Sequence, residues 1–269
     1  MAPFRQTETF AYPVNEGNDI ALDYRIFRDS RERLWLYAKN FPLGVFCYQP
    51  QTKEIIHLTR RNTNYPLNSD NVSNIQELDG SVWLGTDHGG INLFTDEKVT
   101  YLVNQPFDPY TLPFNSTTAL YCSEDGLMWV GTYKGGASFY SKDRTYVKTF
   151  QHQVGNAHSL PFDDVNCFAE APSGHLLIGT NGGGLLSYDR AAQKFTRYSG
   201  DIADKTSLSS NVVVSLLVDK AGVIWAGTYR GGLNRMNKNG TFDRFGHTVS
   251  TNLSVWDILE DSRGRFWIG

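Results

Sequence analysis

Apolar residues occur along the chain in short runs that are separated by turn residues. One stretch shows the pattern clearly, with four such runs in succession. They are Val212–Val218, Val223–Thr228, Leu233–Met236 and Thr241–Phe245. Runs of this length bounded by Gly, Asp and Asn are typical of strands, and helical periodicity is nearly absent from the chain. The pattern therefore predicts antiparallel strands joined by short turns.

The four-run unit recurs, and its second run carries a repeated phrase. Val82–Ile91 reads Val-Trp-Leu-Gly-Thr-Asp-His-Gly-Gly-Ile. Close copies stand at Met128–Ala137, Leu176–Leu185 and Ile224–Leu233, a weaker copy at Leu34–Tyr37 and a cut copy at Phe266–Gly269. One large apolar residue marks each copy, namely Trp35, Trp83, Trp129, Leu177, Trp225 and Trp267. The markers lie 42 to 48 residues apart.

A period near that length with four strands per unit is typical of a β-propeller blade. The chain is therefore predicted to be an all-β propeller of four-stranded antiparallel blades, with about five and a half blades in an incomplete, open ring. The predicted units are approximately 15–60, 61–104, 105–151, 152–199, 200–246 and a partial 247–269. Gln6–Phe10 resembles the fourth strand of a further blade.

The six markers are assigned to the packing between blades. A large flat side chain on the second strand buries on the order of 150–250 Å² there. The paired glycines that follow allow a positive φ or a close approach between strands two and three. No helix follows them and no Gly-Lys-Ser/Thr closes the phrase, so a phosphate-binding loop is not predicted.

Composition and charge exclude several classes of protein. The chain is 40% hydrophobic and 20% charged, which suits a folded core, and its net charge of −3 without a basic run gives no reason to expect nucleic acid. No apolar run is long enough to span a bilayer. The scattered cysteines Cys47, Cys122 and Cys167 are predicted to be ordinary thiols, and the six histidines form no metal-ligand pattern. No metal, cofactor or catalytic residue is assigned.

The repeat Asp-x-x-Gly-x-Φ-Trp-Φ-Gly-Thr-x-x-Gly-Gly, where Φ is apolar, resembles the two-component regulator propeller repeat. Asp219–Gly232 fits this pattern throughout, and Asp261–Gly269 fits it as far as the sequence runs. The phrases Thr111–Ser116, Ser159–Val165 and Ser207–Val212 are similar to the family's lead into each first strand. The resemblance covers nearly the whole chain and identifies no catalytic residue.

That resemblance implies the extracytoplasmic sensor region of a hybrid two-component receptor of Bacteroides-type bacteria. The full-length parent would be a hybrid histidine kinase, whereas this chain has neither the length nor the helices for kinase modules. The chain is thus expected to be part of a periplasmic sensor that works with the remainder of that protein, and a homodimer is a candidate assembly. It is expected to make no direct membrane contact and to bind a glycan.

Candidate ligand contacts are expected on one face of the ring. The loops between strands two and three and the crossovers between blades emerge on the same face because adjacent strands are antiparallel. Matching loop positions hold Asp87, His88, Tyr133, Lys134, Asn181, Tyr229 and Arg230. Aromatic faces suit sugar rings, and the polar groups can bind hydroxyls or carboxylates. The crossover residues Tyr65 and Tyr110 are added to this predicted surface.

Two other classes of function remain open at this stage. One is a sialidase- or lyase-like propeller enzyme acting on glycans. Ser123–Trp129 superficially resembles the Asp-box turns of sialidases, although an arginine cluster for a sialic acid is not evident, and some lyases also use propellers. The other is a protein-interaction scaffold of the kelch or WD type, whose glycine and tryptophan phrases differ from these. Turnover of a glycan would favour the enzyme, and a stable protein partner without glycan binding would favour the scaffold.

Overall fold

The computed structural model describes residues 22–39, 41–95, 98–141, 144–156, 158–245 and 253–269. All regular elements in these ranges are β-strands, and each sheet joins strands that are consecutive in sequence and antiparallel. Five sheets have four strands and the sixth has two. We number these sheets blade 1 to blade 6 along the chain. The predicted fold, a propeller of about five and a half four-stranded blades, is confirmed.

The strands of each blade follow one another along the chain. Blade 1 has β1 (Tyr24–Arg28), β2 (Leu34–Ala38), β3 (Val45–Gln49) and β4 (Glu54–Leu58). Blade 2 has β5 (Val72–Leu78), β6 (Ser81–Thr86), β7 (Ile91–Phe94) and β8 (Val99–Leu102). Blade 3 has β9 (Thr117–Cys122), β10 (Met128–Thr132), β11 (Gly136–Ser141) and β12 (Arg144–Phe150). Blade 4 has β13 (Val165–Glu170), β14 (Leu176–Thr180), β15 (Leu185–Asp189) and β16 (Lys194–Tyr198). Blade 5 has β17 (Val213–Val218), β18 (Ile224–Thr228), β19 (Gly232–Met236) and β20 (Phe242–Phe245), and blade 6 has β21 (Ile258–Glu260) and β22 (Phe266–Ile268).

The repeated phrase forms the second strand of each blade. In blades 3 and 4 this strand is buried at every position. Such a strand has a neighbour on both edges and another blade against each face, so its sequence is a continuous apolar run and does not alternate. The marker residues extend this packing to the next blade. The ring of Trp35 lies 5.1 Å from that of Phe94, and the ring of Trp83 lies 5.3 Å from that of Tyr140.

Burial of the markers follows their position in the ring. Trp35, Trp83, Trp129 and Leu177 are at most 3% exposed, and Trp225 is partly buried. Trp267 departs from the predicted core role because it is 56% exposed. Its strand β22 is an edge of the two-stranded blade 6, so no described strand covers it.

An aspartate closes the turn between strands one and two in blades 1, 5 and 6. In blade 5, Asp219 Oδ1 accepts the backbone N–H groups of Ala221 and Val223 at 2.9 and 2.8 Å. Its Oδ2 accepts the indole N–H of Trp225 at 2.8 Å. The same indole bond joins Trp35 to Asp29 at 2.8 Å and Trp267 to Asp261 at 3.1 Å. The Asp and the Trp of the repeat therefore act as one unit.

Blades 3 and 4 show what happens when that unit changes. Blade 3 keeps Trp129 but has Ser123 at the aspartate position, and the buried Trp129 Nε1 has no hydrogen-bond partner among the described residues. Blade 4 has lost both members, with Ala171 and Leu177 in their places. Leu177 has no polar atom to satisfy, so the loss of the aspartate leaves no unmet donor at this position of blade 4, whereas it leaves Trp129 Nε1 unmet in blade 3.

The inner strands carry β-bulges that tie neighbouring blades together. In blades 2 to 5 the first strand has one extra residue opposite the Gly-Thr end of the second strand. These extra residues are Ser73, Thr118, Asn166 and Val214. The first three donate side-chain hydrogen bonds to carbonyls of the next blade, at Thr117, Val165 and Val213 respectively. A bulge re-aims side chains, and here it aims them at the axis of the ring.

Blades 1 and 6 meet through side chains. Arg25 on β1 bonds Asp257, which lies just before β21. Among the described residues, no strand of blade 1 pairs with a strand of blade 6, so no sheet closes the ring. The predicted strand Gln6–Phe10 lies outside the described residues.

Candidate ligand site at the central cavity

We call the end of the ring that carries the loops between strands two and three, with the crossovers, the loop face. The opposite end, with the turns between strands one and two, is the turn face. A cavity of about 1100 Å³ opens between the blades, and residues of every blade line it. Its lining combines loop residues such as Asp87 and Tyr133 with crossover residues such as Phe114. The predicted convergence of these two kinds of segment is what forms the cavity mouth.

The backbone of the loop face is fixed by the repeat. The Thr that ends strand two donates its hydroxyl to the carbonyl of the second glycine, at 2.8 Å from Thr86 to Gly90 and from Thr228 to Gly232. The second glycine needs its residue type: Gly136 has φ +87°, and a Cβ there would lie 2.1 Å from the Phe150 carbonyl oxygen. These loops are therefore built alike in successive blades.

The first residue of each loop is also placed by a constant bond. Its backbone N–H donates to the residue that precedes or starts strand one, as in Tyr133 to Ser116 and Tyr229 to Val212, both at 2.9 Å. Lys39 makes the same bond to Asp23 at 2.8 Å, and it stands four residues after Trp35 as Tyr133 stands four after Trp129. Lys39 is thus the blade 1 equivalent of the predicted contact residues.

In blades 2 to 5 the second residue of the loop has a positive φ. His88, Lys134 and Arg230 have φ of 65°, 54° and 57°, and blade 4 has Gly182 at this position. A non-glycine residue there costs of order 1 kcal/mol. Three blades nevertheless carry a basic side chain where glycine would be free of strain.

Aromatic rings stand exposed around the mouth. Tyr133 is 43% and Trp256 55% exposed, and both line the cavity. The ring of Phe114 lies 6.4 Å from that of Tyr133, and the ring of Tyr229 lies 5.8 Å from that of Trp256. The cations of Lys134 and Arg230 each lie 5.0 Å from the ring centre of the tyrosine beside them, a cation–π contact. The rim thus joins apolar faces to positive charges.

A charged group lies at the blade 1 side of the cavity. Arg25 binds both carboxylate oxygens of Asp23, at 2.8 and 3.0 Å, and also contacts Asp257. Burial pushes the pKa of Arg25 down, but the bond to Asp23 and the charges of Asp257 and Asp23 outweigh it and raise the pKa overall. Arg25 is therefore a fixed cation whose charge is already matched.

Lys39 differs from Arg25 in the direction of its pKa shift. Burial lowers the pKa of Lys39, the charge of Arg25 lowers it further, and the charges of Asp23 and Asp257 oppose this only in part. No carboxylate of the described residues lies within 4.0 Å of its ammonium group. Lys39 therefore contributes a partly desolvated positive charge to the cavity wall.

The structure separates the predicted contact residues into three groups. Asp87, His88 and Tyr133 line the cavity. Lys134, Tyr229 and Arg230 stand at its rim, each one stacked on or next to another rim residue. Asn181 is apart from both, since its amide donates to Asp164 at 3.1 Å and its backbone bridges to Val212.

The two crossover tyrosines do not join the cavity. Tyr65 packs into the core, with its ring 5.0 Å from that of Phe94. Tyr110 lines a smaller groove of about 440 Å³ with Asp108 and Lys148. Their sequence position in the crossovers was correct, but a crossover also has to cover the blade below it, and Tyr65 does that.

Sequence reasoning missed the cavity residues of blades 1 and 6, among them Lys39, Arg25, Trp256 and Asp257. Lys39 could have been found from its spacing after Trp35, although the Gly-Thr of the phrase is absent there. No local pattern indicates the contact between Arg25 and Asp257, which are 232 residues apart.

Other chemistry is not assembled in the described part of the chain. No group of three His, Cys, Asp or Glu residues is placed there to hold a metal ion. All three cysteines are free, and burial raises the pKa of Cys47 and of Cys167 to about 12. Within the same residues there is no apolar helix long enough to cross a membrane.

The repeats match a known family. The sequence model of the two component regulator propeller matches residues 111–134, 207–230 and 249–269. These three segments carry two-component regulator propeller repeats. Each match contains the first two strands of a blade and the turn between them, in blades 3, 5 and 6. No curated protein matches the sequence.

Several solved structures share the fold. The extracellular domain of the candidate hybrid two-component system BT3049 from B. thetaiotaomicron has a TM-score of 0.75 at 19% identity, over 93% of this chain and 32% of its own. That of BT4673 from the same organism has a TM-score of 0.71 at 19% identity, over 92% and 34%. A catalytically inactive virginiamycin B lyase from Staphylococcus aureus, solved with quinupristin, has 0.67 at 12% identity, over 95% and 80%. The chain thus spans about one third of the length of these two sensor domains.

Proposed function

We propose that this chain is the ligand-sensing propeller of an extracytoplasmic hybrid two-component receptor and that it binds an oligosaccharide at the mouth of the central cavity. The observation that carries the proposal is the ring of exposed aromatic side chains, led by Tyr133 and Trp256, around a cavity on the loop face whose lining also includes Lys39 and Asp87. Sugar rings present apolar faces that stack on such rings, while their hydroxyls need polar partners.

The left-handed loop residues support the same proposal. His88, Lys134 and Arg230 occupy positions where glycine would relieve strain. Strained residues of this kind cluster at binding sites, where the side chain has a use that outweighs its cost to the fold. The rest of the loop is held by constant hydrogen bonds, so the side chains are presented on a rigid frame.

A signalling role follows from the position of the cavity between all the blades. A ligand that contacts loops of several blades favours one arrangement of those blades, and it shifts an equilibrium only if it binds two arrangements with different affinity. In the proposed receptor this bias would pass to the remainder of the sensor protein, with a homodimer and a periplasmic location as further parts of the proposal. The chain itself is proposed to be a binding module without catalytic turnover.

Calorimetric titration of the chain with a panel of oligosaccharides tests this function. At least one member should bind, and the double variant Tyr133→Ala, Trp256→Ala should lose its affinity by roughly 10-fold or more, because two stacking surfaces are removed. Phe107→Ala, which removes a fully exposed aromatic ring away from the cavity, is the matched control and should bind normally.

Chromatography of the sugar after incubation completes the test. Recovery of the intact oligosaccharide is expected for a binding module. Cleavage that depends on the cavity residues would contradict the proposal and favour a glycan-degrading enzyme. Binding that survives the double variant unchanged would remove the cavity mouth as the site.

A further inference from the structure

We infer that the ligand of the cavity is an acidic oligosaccharide, whose anionic group is bound by Lys39. This inference rests on the proposed function and adds the chemical class of the ligand. Lys39 lies in the cavity wall at the loop position that Tyr133 occupies in blade 3, so its side chain is part of the same surface as the aromatic rim.

The carboxylates of the cavity wall contact side chains of the same wall. The carboxylates of Asp23 and Asp257 are both bonded to Arg25, and that of Asp87 is paired with His88 at 2.9 Å. Each described carboxylate of the lining thus already contacts a side chain of the wall, either Arg25 or His88. A cationic ligand would have to share these carboxylates with those side chains.

Lys39 differs from the carboxylates of the wall because it has no ion-pair partner among the described residues. Its ammonium group has no carboxylate of the described residues within 4.0 Å, and burial together with Arg25 lowers its pKa. A desolvated charge without a partner is unfavourable, and the interaction with an added anion would be strengthened by the low dielectric of the site. The wall of the cavity therefore favours a negative group at this point.

The rim adds to the same preference. Lys134 and Arg230 lie over Tyr133 and Tyr229, and neither has a carboxylate of the described residues within 4.0 Å. The chain as a whole has a net charge of −3, so a cationic rim on it is a local property of this face. Stacking surfaces with cations above them suit a sugar that carries an acid group next to its apolar face.

Pairs of oligosaccharides that differ only in their anionic group provide the test. The panel includes oligogalacturonate with its carboxyl-reduced form and a sulfated carrageenan oligosaccharide with its desulfated form, and further backbones are added as such pairs. In at least one pair the acidic member should bind roughly 10- to 100-fold more tightly than the neutral member, as expected for one charge-assisted hydrogen bond. The two kinds of pair distinguish a carboxylate from a sulfate.

Lys39→Met then assigns the effect to the residue. This variant keeps the length of the apolar stem, and it should lower the affinity for the acidic member to that of its neutral partner while leaving the neutral member unchanged. Lys39→Arg should restore most of the preference. Lys194→Met, on the exposed edge strand β16, is the matched control and should change neither affinity.

The outcomes separate this inference from the proposed function. Equal binding of both members of each pair, or a preference for the neutral member, would overturn the acidic ligand and leave sugar binding standing. An acidic preference that Lys39→Met retains would overturn the role of Lys39. If no member of any pair binds to the folded chain, the proposed oligosaccharide site is wrong and this inference is wrong with it.

Discussion

The two faces of the ring use the same repeat in opposite ways. On the turn face the side chains have a constant task, since Asp29, Asp219 and Asp261 each close a turn and hold a tryptophan indole. On the loop face the backbone is constant and the side chains vary, from Asp87 and Tyr133 to Asn181 and Tyr229. The comparison indicates that one face determines folding and the other is available for recognition. Changes on the turn face should therefore alter stability, and changes on the loop face should alter binding.

The largest effect is expected from Asp29→Ala. The Asp29 side chain is fully buried, bonds Arg33 Nε at 2.5 Å and accepts the indole N–H of Trp35. Its removal takes one carboxylate contact from the buried Arg33 and the acceptor from the buried Trp35 indole, which should lower the free energy of unfolding by about 3–5 kcal/mol. Urea denaturation measures the change. Asp108→Ala, at an exposed crossover turn, is the control and should cost under about 1 kcal/mol; similar losses in both variants would contradict this assignment.

The next largest effect is expected from Asp219→Asn. The loss of stability in this variant should depend on pH, because the pKa of Asp219 is shifted in the folded protein. Burial raises the pKa of Asp219, but the hydrogen bonds from Trp225 and from the backbone of Val223 and Ala221 outweigh it, and the pKa is lowered overall. A folded pKa below the unfolded value near 4 means that the carboxylate stabilises the fold above about pH 4 and that this contribution is lost as the pH falls through the folded pKa.

The variant should therefore be less stable by about 1–3 kcal/mol at neutral pH, because the amide offers one acceptor oxygen where the carboxylate offers two. The difference from the unchanged chain should shrink as the pH falls below about 4. Urea denaturation of both proteins at several pH values measures it. A difference that stays constant down to about pH 3 would show that the charge of Asp219 has no such role.

A smaller effect, of opposite sign, is expected from Ser123→Asp. The new carboxylate would stand six residues before Trp129, as Asp219 stands before Trp225, and would supply the acceptor that Trp129 Nε1 lacks. Stability should rise by about 1 kcal/mol. Ala171→Asp in blade 4 is the matched control, since Leu177 offers no donor there and Ala171 is buried. Stabilisation of blade 4 by this change, or none in blade 3, would break the Asp–Trp account.

The smallest effect on stability is expected on the loop face. Lys134→Gly removes the strain of the left-handed backbone in the folded state, but it also raises the conformational entropy of the unfolded chain. These two effects on the free energy of unfolding should cancel to within about 0.5 kcal/mol. Thermal unfolding checks this result, and the affinity for an acidic oligosaccharide should fall in the same protein. A stability loss above about 1 kcal/mol would mean that Lys134 belongs to the fold.

The repeat made most of the fold predictable, because the sequence of each repeat contains the pattern that predicts the strands and turns of its own blade. The spacing of Trp83, Trp129 and Trp225 predicted the blades, and the paired glycines predicted the loops. Trp267 was predicted to be core and is exposed, since a residue's burial also depends on which strand lies beside it. The repeat describes each blade separately and so contains no information about how blade 1 meets blade 6.

The same limit explains which residues of the candidate site could be predicted from the sequence. The loop residues Asp87, His88 and Tyr133 were found because they stand at matching positions of clear repeats. Lys39 was missed because blade 1 keeps the loop geometry while its phrase has lost the Gly-Thr that marks the loop. Asn181 shows the reverse case, in which the position matches but the side chain is used within the fold.

Amide hydrogen exchange with and without a bound oligosaccharide tests the central claim most directly. The ligand is the member of the paired panel that binds most tightly. We expect protection to increase in the loop-face segments 87–90, 133–136, 229–232 and 253–257, and to stay unchanged in the turn-face segments 29–33, 123–127 and 219–223. Protection confined to the turn face, or absent from the loop face, would contradict the division of the ring into a folding face and a recognition face.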